Sequence, residues 1–247
     1  MKTWIDLTDA FPFKFDVDRM KADLKKIDEN KLLDHYDPTL DRGWRAALLV
    51  SKHGEMSGRE SQRPSWDFSE FVRTPLVDQL PYFREILDYF KCPQGRVRIL
   101  KLAPGAGIGL HRDVNAEVGC LAFNQVRLHV PIITNPKVTF HVGGEVITMR
   151  PGRFYYVNFS KWHFVRNDGD EARYHLVLDL KVNDWLRQFF PATTWAEQLE
   201  YTWARTMWPP RWRIEAVYNR IFDAAWTAYD GTAAQRFVRR LKAPRTA

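Results

Sequence analysis

The hydrophobic pattern of the chain changes period along its length. Over residues 16–33 apolar positions recur near every 3.6 residues, with Val17, Met20, Leu24 and Ile27 on one side, which predicts an amphipathic helix. A short apolar run at 46–50 predicts a strand inside a turn-rich stretch. Helical spacing returns at 76–90, where Leu76, Leu80, Phe83, Ile86, Leu87 and Phe90 form one face. From Arg96 to Val182 the texture becomes that of strands. Eight segments rich in β-branched and aromatic residues (RVRILKL, GIGLHRD, VRLHVPIIT, VTFHV, EVITM, FYYVNF, HFVRN and YHLVLDLKV) are separated by Pro-Gly, Asn-Pro, Gly-Gly and Asp-Gly turn signals. Beyond Val182 helical patterns cover 183–190, 193–207, 211–229 and 233–241, with a break at Trp208-Pro209-Pro210.

These elements predict a mainly β protein with flanking helices. Its core would be a double-stranded β-helix, the jelly roll of cupin-like proteins, followed by a helical C-terminal region. No long helix interrupts the strands, which argues against a doubly wound α/β sheet. The expected organisation is a domain over 1–182, with a helical and loop part at 1–95 and the jelly-roll core at 96–182. A helical appendage would occupy 183–247.

Charge changes this picture only at the C-terminus. The formal net charge is +7, and from Arg205 onward nine Lys/Arg face three acids, so the basic balance describes the tail and not the strand block. The tail has the charge to meet nucleic acid or a membrane surface. Its stripe of Ile214, Val217, Tyr218, Ile221, Phe222 and Ala225 instead has the spacing of a packed helix, so the appendage is expected to pack on the barrel or form a homodimer, with no specific nucleic acid. No apolar run reaches membrane-spanning length, and the N-terminal stretch lacks the apolar run of a secretory signal, which favours a cytoplasmic setting. Cys92 and Cys120 form no zinc spacing and are expected to be buried thiols.

Five of the seven histidines (His111, His129, His141, His163 and His175) fall in the strand block. In an extended strand His111 and Asp113 share a face, which places two potential metal donors side by side. His163, at the start of the strand after FYYVNF, is the best distal partner. Two histidines and one carboxylate with open positions are the usual donor set of non-haem Fe(II) oxygenases. Arg173 opens the strand YHLVLDL; aimed into an apolar barrel, it would need an anionic partner such as a dicarboxylate. The surface alternative is an ordinary exposed arginine at a strand start. A kinase reading of His111-Arg112-Asp113 fails, because Val118 stands where an asparagine is needed and neither a DFG nor a nucleotide loop is present. The glycine-rich run before it leads into a strand and not a helix, so it is no dinucleotide fingerprint.

The run GLHRDVNAEVGCLAFNQVRLHVPI, then MRPGRFYYVNFSKWHFVRN, then RYHLVLDL resembles the aspartyl/asparaginyl β-hydroxylase family of Fe(II)/2-oxoglutarate-dependent dioxygenases. The cis-3- and cis-4-proline hydroxylases are most similar, since they too carry H-x-D. The likeness covers about residues 96–182 and rests on H-R-D, Arg127-Leu128-His129, the turn Arg150-Pro151-Gly152, the distal histidine, and an arginine ten residues later. It implies that His111, Asp113 and His163 bind Fe(II), and that Arg173 pairs with the distal carboxylate of 2-oxoglutarate. Arg127 and His129 would line the cosubstrate pocket. Some relatives lack the carboxylate ligand; this chain keeps Asp113. The implied activity is hydroxylation of an unactivated C–H bond of an amino acid, a peptide residue or an amino-acid-like metabolite, with O2 consumed and succinate and CO2 released. The alternative is a cupin-type metal-binding protein or isomerase, which would keep the three donors but have no need of Arg173. The loop over 51–67, with Lys52, Arg59, Arg63 and Trp66, is a candidate lid.

Overall fold

The computed structural model describes residues 2–34, 43–58, 60–63, 65, 67–111, 113 and 119–206. Met1–Tyr201 form one compact unit and Thr202–Ala247 a second. The helices expected over 211–229 and 233–241 lie outside the described residues, as do Arg59, Trp66 and Arg112.

Among the described residues, and besides a further helix that starts at residue 195 within the expected 193–207, twelve strands and three α-helices belong to the first unit. They are β1 (Trp4–Asp6), α1 (Val17–Leu24), β2 (Leu33–Asp34), β3 (Trp44–Lys52), β4 (Phe71–Arg73), α2 (Pro81–Tyr89), β5 (Gln94–Leu102), β6 (Gly107–His111), β7 (Gln125–Ile133), β8 (Val138–Val142), β9 (Glu145–Val146), β10 (Tyr155–Val157), β11 (His163–Asn167), β12 (Arg173–Lys181) and α3 (Asp184–Arg187). Eight strands form one antiparallel sheet in the order β1-β10-β7-β12-β5-β3-β2, with β4 paired to β3. Four form the other, in the order β6-β11-β8-β9. Two antiparallel sheets face to face are the jelly roll that the strand spacing predicts.

Strict alternation gives the large sheet two different faces. Val97 and Ile99 of β5, Val126, Leu128 and Val130 of β7, and Leu176, Leu178 and Leu180 of β12 join the core formed with Met20 of α1 and Phe83, Ile86 and Leu87 of α2. The intervening positions, Arg96, Arg98, Arg127, His129, Arg173, His175 and Asp179, are buried as well. They face the small sheet, together with a second apolar cluster that includes Trp44, Leu100, Phe140, Val142 and Val165. So much buried charge on a single face is costly unless it is paired or awaits a ligand.

Local chemistry explains where the elements depart from the sequence pattern. The helix expected over 76–90 is divided. A 3-10 turn, Pro75–Gln79, precedes α2, because Pro81 lacks an N–H and takes the first position of a new helix. The Asp23 carboxylate caps that new start, accepting from Tyr82 N at 2.8 Å and Phe83 N at 3.2 Å. The large sheet also recruits β1, β2, β3 and β4, which lie before residue 96. Cys92 and Cys120 are buried thiols, not joined in a disulfide, as expected. No helix among the described residues is long and apolar enough to cross a membrane.

Candidate metal centre

β6 and β11 are antiparallel neighbours in the small sheet, and their register sets His111 directly opposite His163. Gly107 makes the close pairing possible: a Cβ there would lie 2.9 Å from the Val165 carbonyl oxygen. β6 ends at His111, so Asp113 sits just past the strand, where its N–H donates to the Phe159 carbonyl at 3.4 Å. Donor atoms of His111, Asp113 and His163 all lie within 4.8 Å of one another.

Each of the three residues has one polar atom secured and one left for a metal. His111 Nδ1 donates to the Gly109 carbonyl at 2.7 Å, and His163 Nδ1 donates to the Lys161 carbonyl at 2.9 Å. Both imidazoles therefore carry their proton on Nδ1 and present a bare Nε2, the usual outer-shell device for a metal-binding histidine. Asp113 Oδ2 accepts from Arg127 Nη1 at 2.5 Å. Its Oδ1 lies 3.9 Å from His111 Nε2 and 3.8 Å from His163 Nε2. Adjacent donors around one octahedral ion at about 2.1 Å are about 3 Å apart, so closing the set takes movements of under about 1 Å. The residues fit a divalent ion of the Fe(II) type.

The electrostatics keep Asp113 and His163 in their metal-binding forms. Burial acts to raise the Asp113 carboxyl, but Arg127, His163 and His111 outweigh it and hold the group below the ordinary carboxylate range. Burial lowers the His163 imidazole to about 4.

A cleft of about 610 Å³, open to solvent, joins these donors to the polar face of the large sheet. Arg96, Arg98, Arg127, His129 and Arg173 line it, with Trp44, Leu100, Ile108, Phe140, Phe159 and Val165 as apolar wall. Every site residue expected from the sequence thus reaches one cavity. Arg127 does something further: besides Asp113, its Nε donates to Asp179 Oδ1 at 2.6 Å. Asp179 also accepts from Arg96 Nε at 2.9 Å and pairs with Arg98 Nη2 at 3.4 Å. Three guanidinium groups hold its carboxyl far below the usual range despite burial.

Arg173 is in a different situation. It is 3% exposed, and among the described residues no carboxylate lies within ion-pair distance of it. Its Nη2 donates to His175 Nδ1 at 2.7 Å, and its Nε has no hydrogen-bond partner. Burial pushes its guanidinium down to about 9.

Asp179, Arg96 and His175 were not singled out by the sequence pattern as site residues. The available signal was a lone aspartate within the apolar run LVLDL, and β12 places it opposite Arg127. The candidate lid is anchored in its described part: Arg96 Nη1 donates to the Gln62 carbonyl at 2.6 Å, and Gln62 Nε2 donates to the Asp34 carbonyl at 3.0 Å.

Several solved structures resemble this one weakly. An oxidoreductase of the 2OG-Fe(II) oxygenase family from Burkholderia pseudomallei is 15% identical, with 72% of this chain and 84% of that one covered and a TM-score of 0.44. A prolyl-4-hydroxylase from Pseudomonas putida is 13% identical over 73% of this chain and 93% of its own, with a TM-score of 0.41. A prolyl hydroxylase from Trichoplax adhaerens, solved with a peptide fragment of a hypoxia-inducible factor, is 12% identical over 76% and 86%, with a TM-score of 0.42. The sequence model of aspartyl/asparaginyl β-hydroxylases matches residues 14–182, more than half of the chain and all of the site. The chain therefore belongs to the aspartyl/asparaginyl β-hydroxylase family of enzymes.

Proposed function

We propose that this hydroxylase uses Fe(II), 2-oxoglutarate and O2, and that it acts on an unactivated C–H bond of an amino acid, a peptide residue or an amino-acid-like metabolite. The observation that carries the reading is Arg173. A buried guanidinium without a carboxylate, in the same cavity as a complete His-Asp-His donor set, calls for an anionic ligand that also reaches the metal. A 2-oxo dicarboxylate has that shape.

In this reading His111 Nε2, Asp113 Oδ1 and His163 Nε2 would hold the ion. Bound there, Fe(II) with its cosubstrate supplies oxidative decarboxylation to succinate and CO2, coupled to transfer of one oxygen atom to substrate. The protein does the rest. Arg173 pairs with the distal carboxylate, and its charge is little screened because the side chain is buried beside the Phe140 ring. Arg127 holds Asp113 in a one-oxygen ligand posture while Asp179 holds Arg127. Arg127 and His129 form the part of the cosubstrate wall carried by β7. The sequence division puts the catalytic domain at 1–182 and an appendage at 183–247, and the family match ends at residue 182; the compact unit runs on to Tyr201, with Leu186, Phe190 and Tyr201 in its core, so 183–201 are taken with the catalytic domain.

The test is to load the protein with Fe(II) and measure 2-oxoglutarate binding and succinate release across the free amino acids. Binding, with succinate formed above the substrate-free rate for at least one of them, is the expected result. Arg173→Met should weaken 2-oxoglutarate at least about 100-fold, since a charge-assisted two-point contact is lost in a dry site. Absence of both iron and 2-oxoglutarate binding in the wild type would end the proposal. A metal-binding isomerase would tolerate the Arg173 change.

A further inference from the structure

His175 has no role in the reading above, yet it is buried, 1% exposed, directly behind the cavity-lining Arg173 and His129. It follows Arg173 by two residues on β12, so both side chains lie on the face toward the small sheet. Its Nδ1 is 2.7 Å from Arg173 Nη2 and 3.3 Å from His129 Nδ1. We propose that His175 is a positioning residue for the distal end of a dicarboxylate cosubstrate: it orients the Arg173 guanidinium without neutralising it, and it fixes the tautomer of His129. This inference rests on the oxygenase reading of the site.

The chemistry of the three groups leaves one consistent proton arrangement. A guanidinium only donates, so His175 Nδ1 is an acceptor and its proton sits on Nε2. His129 Nδ1 faces that same lone pair, and two lone pairs at this distance repel, so His129 carries its proton on Nδ1. Both imidazoles are neutral. Burial first, then the adjacent Arg173, pushes each of them well below the ordinary histidine range.

Neutrality is the point of using histidine here. An aspartate or glutamate at position 175 would pair with Arg173 outright and cancel the charge the ligand needs. A neutral acceptor instead fastens one N–H of a long, multi-torsion side chain before the ligand arrives. The ordering cost is then already met and the full positive charge remains.

The experiment uses the full chain loaded with Mn(II), a redox-inert stand-in for Fe(II). Calorimetric titration compares 2-oxoglutarate with 2-oxopentanoate, which has the same chain but no distal carboxylate. His175→Leu should weaken 2-oxoglutarate about tenfold, the worth of one hydrogen bond to a charged group, and leave 2-oxopentanoate and Mn(II) binding unchanged. His175→Asn, whose Oδ1 takes the place of the Nδ1 acceptor, should recover most of the loss. His175→Asp should lose more than His175→Leu. An unmoved ratio of the two affinities, or an equal fall in both, overturns the inference while leaving the oxygenase reading intact. A wild type with no affinity for 2-oxoglutarate overturns both. Nitrogen-15 NMR of the metal-free wild type gives a check that needs no variant: protons on His175 Nε2 and His129 Nδ1 are expected, and a proton on His175 Nδ1 rules the arrangement out.

Discussion

A single carboxylate shared by three arginines decides much of this site. Asp179 is 3% exposed and joins Arg96, Arg98 and Arg127, and Arg127 in turn carries the candidate metal ligand Asp113. Removing one member of such a buried network leaves the others uncompensated. Asp179→Asn should therefore cost about 3–5 kcal/mol in chemical unfolding and weaken metal binding at the same time. A conserved metal affinity would show that Asp113 does not depend on this support. The buried histidines make a separate prediction. His129 is surrounded by Arg173, Arg127, Arg98 and Asp179, and His175 by Arg173 and His129. The unfolded chain protonates both below about pH 6.5, and the folded chain resists until well below that. Unfolding thus takes up protons, and stability of the metal-free protein should fall as pH drops below about 6.5. The limiting slope is about 1.4 kcal/mol per pH unit for each histidine. Urea midpoints measured from pH 7.5 to 5 would show it; a flat profile would mean that the two rings are charged or exposed when folded. At this scale the sequence was partly legible. His111, Asp113, His163 and Arg173 could be found because strand alternation and short spacings identify them. Asp179, Arg96 and His175 could not, since their meaning lies in a register between strands some 50 to 80 residues apart.

Among the elements, the pairing of β6 with β11 is the most sensitive. Gly107→Ala places a methyl group 2.9 Å from the Val165 carbonyl. That distance forces the two strands apart and takes His111 from its position opposite His163. Metal affinity should fall by more than tenfold, while the large sheet, which Gly107 does not touch, keeps its far-UV signature. The start of α2 tests a different contact. Leu80 offers no side-chain cap, and the Asp23 carboxylate supplies one from another helix while also pairing with Lys26 Nζ at 2.6 Å. Asp23→Ala should destabilise by about 1–2 kcal/mol, read from thermal or urea unfolding, with metal binding unaffected. Hydrophobic period alone located these helices and the eight main strands. It ran through Pro81 because Leu76 and Leu80 before the break and Phe83, Ile86 and Leu87 after it keep one spacing. It also could not show that β1, β2 and β4, two or three residues each, complete the large sheet, since segments so short carry no period of their own.

For the whole molecule, the division of labour follows the two sheets. His111 and His163 stand on the small sheet, and Arg96, Arg98, Arg127, His129, Arg173 and His175 on the large one. Binding a divalent ion to the folded form alone should stabilise it by mass action. The gain is about 2.7 kcal/mol at a hundredfold excess over Kd. For a chain of this size that is a rise in Tm of roughly 5–10 °C. Scanning calorimetry with and without Mn(II) tests this, and the shift should vanish in Asp113→Ala. A shift that survives would mean that Asp113 is not needed to hold the ion.

The salt bridge from Arg127 to Asp113 ties the wall that would hold the cosubstrate to the donor set that would hold the metal. Two ligands gripping opposite walls of one gap cannot bind independently. Whatever factor the metal adds to cosubstrate affinity, the cosubstrate must return to the metal. A cell short of either one would then hold the protein mostly empty of both. On the proposed reading, scarcity of either small ligand would weaken the enzyme's hold on the other.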